Sequence, residues 1–432
     1  MSNKSAWKNS FSRLIVQLLF AGSIVNYLDR SLLSVVMPNV RRDLSLSNAN
    51  YGLAIHAFLM MYAVFYILGG RIADRMGYRR TFTLAVVFWS LASMAHRLLQ
   101  GLRSLFVFQA ALGMGEGIYY PAAMRGAAQW FPPASRAKAV GTILSAISLG
   151  MLITPPLVAW TTLHCGWRST FLLLGGLGLL LVPPWLWVHR QIQGAEGIPD
   201  TTFVEGRGSR ASSEQEVTLS EVLKTRKYWC VLAARGCSDA AWYFYLFWIP
   251  AYFQEARGLS LATVGKILWV PYFCSFLGAL VGAAASSALI RRGLSLHRSR
   301  ITALLISAFL CAFSASAGFV RGTTLALGLV SLALFAHQSW STNIHTVITE
   351  ISPPKHVAIL YGMTGAGGTF LGAAAQLILG RLIDLHGYKP AFAGAGGVYV
   401  LGAGLLLSAG VLEPIRRGPG GVAGPTSVSL PD

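Results

Sequence analysis

The sequence is poor in charged residues, and its cysteines are few and scattered. Only 12% of its 432 residues are Asp, Glu, Lys or Arg, about half the share in a typical soluble protein, while 54% are hydrophobic. The five cysteines form no C-x-x-C pair, which argues against a disulfide framework or a zinc site. The sequence contains no Walker motif, Ser-His-Asp set or metal-ligand cluster, so we expect neither an ATP-driven protein nor an enzyme, and no cofactor.

What the sequence has instead is a series of long apolar runs. A helix needs about 20 apolar residues to cross a bilayer, and these runs have about that length. We count twelve and predict an all-α polytopic membrane protein in contact with lipid. The predicted spans are residues 14–37, 51–72, 81–99, 105–130, 137–163, 167–188, 228–253, 264–290, 300–320, 324–351, 356–383 and 390–412.

A hydrophilic segment at residues 191–227 follows the sixth span. It is rich in Gly, Ser and charge, so we predict a flexible cytoplasmic linker, in which VTLSEVLKTRK forms a short amphipathic helix at the membrane surface. The linker separates a six-helix half at residues 1–190 from another at 228–412. A disordered cytoplasmic tail at 413–432 follows.

Basic residues are concentrated on one predicted face of the membrane. Lys4, Lys8 and Arg13 precede the first span, and RRGLSLHRSR joins the eighth and ninth. The positive-inside rule places this face and both termini in the cytoplasm, so we expect an integral protein of the plasma (inner) membrane. The net charge of +19 then reflects topology and contact with anionic lipids. Because the basic residues form no continuous surface, we exclude nucleic acid as a partner.

The turn after the second span reads GGRIADRMGYRR. Its string G-x-x-x-D-R-x-G-x-R-R resembles the signature loop of the major facilitator superfamily, whose transporters consist of two six-helix halves. The resemblance implies a role in the cytoplasmic gate for Gly70, Asp74, Arg75, Gly77, Arg79 and Arg80. The string GRLIDLHG at 380–387 echoes the pattern after the eleventh span, as nested repeats would.

Further strings are similar to the anion:cation symporter family, and within it to hexuronate and aldonate transporters. They are NYLDR at 26–30, GMGEGIYYPAAMRGAAQWFP at 113–132, PPLVAW followed by GWRSTF, AWYFYLFWIPAYFQEARGLSL at 241–261, and AHQSWS at 336–341. Relatives with these strings also carry glucarate, phthalate and other organic acids. The resemblance implies transport by alternating access, with the proton as the coupling ion.

The first span places an acid and a base next to each other, where burial of a charge is costly. Arg30 can bind a carboxylate through two parallel hydrogen bonds, and Asp29 can carry a proton. Asn26 and Tyr27 share the helix faces of these two residues. A structural ion pair that locks this span to a neighbour is the alternative. By resemblance, Tyr62 in the second span is a further substrate-side tyrosine.

Glu116 lies in the string GMGEG, whose glycines allow another helix to approach closely. It has no cation on its own helix face, and burial favours the neutral form of an acid. We therefore predict that Glu116, with Asp29, binds and releases the coupling proton. A neutral Glu that is only hydrogen-bonded in a packed interface is the alternative. Gln109 stands where relatives usually have a substrate-binding arginine, which favours a less acidic or differently shaped substrate.

The second half contributes further candidates. Arg235 and Asp239 are four residues apart on one face of the seventh span, which fits an intrahelical pair as well as a substrate role. Trp242 can stack on a sugar ring or pack in the core. A polar stripe in the tenth span can line a cavity or join helices, and its predicted substrate contacts are Gln338, Asn343 and His345.

These features together predict a monomeric, proton-coupled importer of a small organic anion, with a hexuronate or a related sugar acid as substrate. Arg30 would bind the substrate carboxylate, helped by Arg235. The substrate hydroxyl groups would contact Tyr27, Tyr62, Gln109, Gln338, Asn343 and His345. The alternatives are an anion exchanger, an exporter of another organic acid or amphipathic compound, and a membrane sensor that does not transport.

Overall fold

The computed structural model describes residues 2–131, 133–196, 217–353 and 355–410, with Leu412 and Ile415. Most of the predicted linker and tail therefore lies outside the described residues. All regular secondary structure in the described residues is helical, which confirms the all-α prediction. The α-helices are α1 (Ser2–Leu44), α2 (Asn48–Met76), α3 (Tyr78–Ala95), α4 (Leu102–Trp130), α5 (Pro133–Gly175), α6 (Val182–Glu196), α7 (Leu219–Leu223), α8 (Arg226–Ala251), α9 (Leu261–Ile267), α10 (Trp269–Arg291), α11 (Leu296–Ser314), α12 (Thr323–Ile351), α13 (Val357–His386) and α14 (Tyr388–Ser408).

Every predicted span coincides with helical structure. Among the described residues, seven stretches are long and apolar enough to cross a membrane, and residues 138–192 contain two of the predicted spans. The remaining four predicted spans form α3, α4, α8 and α12, in which polar residues interrupt the apolar sequence. The helices are thus consistent with a twelve-span membrane protein.

The differences from the predicted spans lie mainly at their ends. Helix α1 continues through Pro38 to Leu44, beyond the predicted end at residue 37. The predicted break between the fifth and sixth spans is a kink at Gly166, whose φ of 77° is readily adopted by glycine. Polar residues at a membrane surface stop an apolar run without stopping a helix, so hydropathy underestimates helix length.

Contacts divide the chain into two compact units, which we describe separately. Unit 1 contains Met1–Glu205, Phe244–Phe273 and Ala373–Tyr388. Unit 2 contains Gly206–Tyr243, Cys274–Gly372 and Lys389–Asp432. The predicted boundaries of the two six-helix halves stay a prediction.

Glycines allow the helices of unit 1 to approach closely. Helices α2 and α4 pack along each other, as do α1 and α5. A Cβ atom on Gly117 would lie 2.6 Å from the carbonyl oxygen of Tyr62, and one on Gly150 would lie 2.8 Å from that of Ile24. Such distances leave no room for a side chain. The glycines around Glu116 therefore bring α2 close to α4, as the sequence predicts.

Polar contacts join several helix ends in unit 1. Arg41, near the end of α1, pairs with Glu255 at 2.9 Å. Tyr388, at the start of α14, donates a hydrogen bond to the same carboxylate at 3.1 Å. Asp384, near the end of α13, contacts the first turn of α2. We call this the outer end, because the predicted topology directs it away from the cytoplasm.

In unit 2, the predicted linker helix forms and packs its apolar side against the protein; its place at the membrane surface stays a prediction. Helix α7 is limited to Leu219–Leu223. It buries Val222 in a small apolar cluster with Tyr228, Leu360 and Ile415. The backbone N–H of Ile415 also donates a hydrogen bond to α12 at 3.0 Å. Residue 415, predicted to lie in a disordered tail, is therefore held in place.

Candidate functional site

Unit 1 contains a buried ion pair between Arg30 of α1 and Glu116 of α4. The Nε group of Arg30 donates a hydrogen bond to Oε2 of Glu116 at 2.8 Å, and the side chains are 4% and 0% exposed. The sequence shows no cation on the helix face of Glu116 itself; the structure supplies one from another helix, since Arg30 reaches Glu116 from α1. Each charge neutralises the other, which offsets part of the cost of burying them.

Three aromatic rings surround the guanidinium group of Arg30. Its central carbon lies 4.4 Å from the ring centroid of Tyr62, 4.7 Å from that of Tyr27 and 5.6 Å from that of Phe58. Aromatic faces attract a cation and exclude water from it. The two tyrosines were predicted from the sequence, whereas Phe58 was not; the packing of α2 brings it to the site. We call these four residues, together with Glu116, the Arg30 cluster.

Several buried polar atoms around the Arg30 cluster have no hydrogen-bond partner among the described residues. Examples are Nδ2 of Asn26, Oε1 of Glu116 and the hydroxyl group of Tyr120. Oδ1 of Asn26 lies 3.5 Å from Nη2 of Arg30. Because buried polar atoms are costly to leave unbonded, such a group is typical of a site that binds water or a polar ligand.

Asp29 has a separate environment from its neighbour Arg30. Its Oδ1 atom accepts a hydrogen bond from the hydroxyl group of Ser93 on α3 at 2.7 Å, and its side chain is buried. Its Oδ2 atom has no hydrogen-bond partner in the described part of the chain. This confirms that the two adjacent charges need not satisfy only each other. Ser93 could not be recognised from the sequence, because serine in an apolar span is common.

Gln109 is buried on α4, seven residues before Glu116, so the two side chains share a helix face. A neutral amide can donate and accept hydrogen bonds but cannot neutralise a carboxylate. The positive charge next to Glu116 therefore comes from Arg30.

The signature loop forms the turn between α2 and α3. Asp74 forms an ion pair with Arg125 of α4. Gly77 ends α2 with a φ of 78°, a value that favours glycine. The backbone oxygen of Arg79 accepts a hydrogen bond from the indole N–H of Trp185 at 3.2 Å. The remaining predicted members of the loop are Gly70, Arg75 and Arg80.

Unit 2 contains a second ion pair, between Arg235 and Asp239 of α8. The Nε atom of Arg235 lies 3.5 Å from Oδ2 of Asp239. Arg235 also donates from Nη1 to the hydroxyl group of Thr364 at 3.0 Å and lies over the ring of Tyr361 at 5.4 Å. His345 packs on Tyr361 with ring centroids 5.5 Å apart. We call these five residues the Arg235 cluster. The intrahelical pair was predicted, whereas Thr364 and Tyr361 were missed.

The other predicted residues of unit 2 have protein partners or partial burial. The ring of Trp242 stacks on that of His337, with centroids 4.8 Å apart and planes 12° apart. The amide nitrogen of Asn343 donates a hydrogen bond to the backbone oxygen of Gly282 at 3.2 Å, which joins α12 to α10. Gln338 is half-buried. These contacts favour packing as the main role of Trp242 and Asn343.

Comparison with known protein families and curated proteins gives consistent matches. Residues 19–375 match the Major Facilitator Superfamily. The chain is 30% identical over 424 residues to the hexuronate transporter of Bacillus subtilis strain 168, with coverage of 96% of this chain and 98% of that protein. It is 25% identical over 385 residues to the hexuronate transporter of Escherichia coli K12, with coverage of 88% and 89%. It is 27% identical over 403 residues to a probable galactarate/D-glucarate transporter of the same strain, with coverage of 88% and 90%.

Solved structures agree at the level of the fold. A bacterial homologue of the human lysosomal transporter Spinster, in its inward-facing and occupied conformation, superposes with a TM-score of 0.70. The two sequences are 17% identical, and the match covers 92% of this chain and 95% of that one.

Proposed function

Because the chain belongs to the Major Facilitator Superfamily, we propose that it is a secondary active transporter that takes up a sugar acid together with protons. Similarity to hexuronate and galactarate/D-glucarate transporters supports this substrate class. The observation that carries the proposal is the buried Arg30–Glu116 pair, since it combines a carboxylate-binding cation with a titratable acid.

Arg30 is the proposed ligand of the substrate carboxylate. Rings of Tyr27, Tyr62 and Phe58 lie around its guanidinium group, so the N–H edges remain as its hydrogen-bonding positions. Glu116 occupies the Nε position. A carboxylate that binds through two parallel hydrogen bonds therefore competes with Glu116 for the same cation.

This competition provides the proposed coupling to protons. With Glu116 ionised, the pair is neutral, and an added anion would leave one buried negative charge unbalanced. With Glu116 protonated, Arg30 is free to pair with the substrate carboxylate, and the site is neutral again. Because unbalanced charge within a membrane is costly, substrate and proton bind together. Asp29 is a second proposed proton carrier, since it is buried and has an unbonded oxygen among the described residues.

The remaining assignments are also proposals. Tyr27, Tyr62 and Gln109 in unit 1 contact the hydroxyl groups of the sugar acid. In unit 2, Arg235 helps Arg30 to bind the substrate carboxylate, and His345 and Gln338 have polar groups for the hydroxyl groups. Trp242 and Asn343 contribute less because they are engaged with the protein. We assign no chemical reaction to the protein.

The proposed cycle is alternating access by a monomer in the plasma membrane, with both termini in the cytoplasm. The signature loop, including the Asp74–Arg125 pair, then acts on the cytoplasmic side. Cytoplasmic placement of the termini is supported by the basic residues that precede the first span.

Transport by the purified protein in proteoliposomes tests the proposal. We expect labelled D-glucuronate to accumulate inside when the outside is acidic, and accumulation to stop when a protonophore removes the gradient. Glu116→Gln should still exchange labelled for unlabelled substrate, because glutamine mimics the protonated acid, but at the same pH gradient it should accumulate less substrate than the wild type. Galactarate added outside should compete for uptake.

Glu221→Gln is the matched control, since Glu221 lies in the capping box of α7 and glutamine also serves there. Its uptake should equal that of the wild type. Accumulation by Glu116→Gln to the level of the wild type would overturn the role of Glu116. Uptake that requires substrate inside, regardless of the pH gradient, would instead identify an exchanger.

A further inference from the structure

We propose that Asp239, in unit 2, is a further proton-binding site of the transport cycle, in addition to Glu116 and Asp29 in unit 1. This inference rests on the proposed function, and it assigns Asp239 a task beyond pairing with Arg235. It also accounts for the glycine-rich string TGAGGTFLG at 364–372, which superficially resembles a phosphate-binding loop but lies within α13.

Asp239 lies deep within its helix. It is the fourteenth of the 26 residues of α8, so about 18 Å of helix separates it from either end. The hydrocarbon core of a bilayer is about 30 Å thick, so a residue midway along a spanning helix lies near its middle. An ionisable group at that depth is rarely retained without a functional or pairing role.

The pairing role alone does not fully explain Asp239, because the ion pair is loose. The Nε atom of Arg235 lies 3.5 Å from Oδ2 of Asp239 and makes no hydrogen bond to any described residue, whereas Arg30 and Glu116 approach to 2.8 Å. Arg235 is instead held from α13, by the hydroxyl group of Thr364. Its position therefore does not depend on the charge of Asp239.

Besides Thr364 and Tyr361, helix α13 places two glycines next to this pair. A methyl group at Gly368 would collide with the carboxylate of Asp239, and a Cβ atom at Gly365 would lie 3.3 Å from Nη2 of Arg235. Glycine at these positions thus admits both an acid and a base next to α13. The Asp239 side chain is 21% exposed, against 0% for Glu116.

The charges around Asp239 make its protonation state depend on the ligand of Arg235. The titratable groups that face it are Arg235 on its own helix and Tyr361 on α13, and His345 on α12 packs behind Tyr361. Arg235 is the cation of this set. An anion that pairs with Arg235 leaves Asp239 without a counter-charge, and Asp239 then takes a proton from water. When the anion leaves, the proton is released and the ion pair re-forms.

Proton uptake on substrate binding tests this proposal directly. Purified protein in weakly buffered detergent solution receives D-glucuronate, and a pH indicator counts the protons bound per substrate. We expect Asp239→Asn to bind one proton fewer than the wild type, and its coupling ratio in proteoliposomes, read from the reversal potential, to fall by one. An unchanged count in Asp239→Asn overturns the proposal for Asp239 and leaves the proposed function intact.

A second variant covers the case in which Asp239→Asn does not fold. Glu116→Gln combined with Asp29→Asn removes the proton carriers of unit 1 and keeps Asp239. It should still take up one proton for each D-glucuronate bound, and no uptake overturns the proposal. If the wild-type protein binds D-glucuronate without taking up any proton, proton coupling itself is overturned. Failure of the proposed function is thus distinguished from failure of the role of Asp239 alone.

Discussion

Asp384 caps the first turn of α2 through Ala49. Its Oδ2 atom accepts a hydrogen bond from the backbone N–H of Ala49 at 2.7 Å, and its Oδ1 atom accepts one from Asn48 at 2.9 Å. A carboxylate here satisfies N–H groups that lack partners within the helix and lies at the positive end of the helix dipole. Asp384 belongs to GRLIDLHGY, and Asp74 occupies the same position in GRIADRMGY. The aspartate of the repeated motif at 380–387 thus caps a helix at the outer end.

Asp384→Asn is expected to loosen the outer end of unit 1. Loss of the charge at the helix terminus costs about 1 kcal/mol, which shifts a conformational equilibrium about fivefold. The separation of spin labels at Ser45 and Ala256, in a protein without its native cysteines, measures the change. We expect a larger population with long separations. Identical distance distributions in Asp384→Asn and in the control Glu221→Gln would contradict this prediction.

Arg30→Lys should weaken substrate binding even though the charge is kept. A lysine ammonium group cannot form two parallel hydrogen bonds to a carboxylate, and the loss of about 1.5 kcal/mol raises KM about tenfold. Uptake of labelled D-glucuronate at a fixed pH gradient gives KM. Arg97→Lys, at an exposed position, is the matched control and should behave like the wild type. A KM equal to that of the wild type in Arg30→Lys would show that Arg30 does not bind the carboxylate through two parallel hydrogen bonds.

Gly117→Ala should destabilise the protein by forcing α2 away from α4. Its methyl group would lie 2.6 Å from the backbone oxygen of Tyr62, and overpacking of this kind costs about 1–3 kcal/mol. The matched control is Gly404→Ala in α14, where no atom of another described helix lies within 4 Å of the added carbon. There, alanine favours the helix by about 0.5–1 kcal/mol. Thermal unfolding in detergent should give a lower Tm for Gly117→Ala and an unchanged or higher Tm for Gly404→Ala.

Asn343→Ala separates helix joining from substrate binding. Its amide hydrogen bond to Gly282 links α12 to α10, and losing it costs about 1 kcal/mol. We expect Tm to fall while the KM for D-glucuronate stays the same. The opposite pattern, a raised KM with an unchanged Tm, would place Asn343 among the substrate contacts.

The sequence predicts those features that depend on one helix at a time. Apolar length identifies the spans, the spacing of Arg235 and Asp239 predicts their pairing, and glycines near Glu116 predict close helix packing. The sequence does not predict contacts between segments that are far apart in the chain. The cation of Glu116 comes from a residue 86 positions away, and Phe58 is one of many apolar residues until packing places it beside Arg30. The sequence showed Asp384 only as part of a repeated motif. It did not show that Asp384 contacts the first turn of α2, because that contact joins segments far apart in the chain.

The packing of Ile415 bears on how the protein should be handled. Ile415 closes the apolar cluster over Val222 and donates a backbone hydrogen bond to α12. An affinity tag joined directly after Gly410 would remove Ile415 and expose Val222 and Leu360 to detergent. A tag placed beyond residue 432 would keep it. Yield and monodispersity after purification should therefore differ between the two fusions, although neither alters a residue of the transport site.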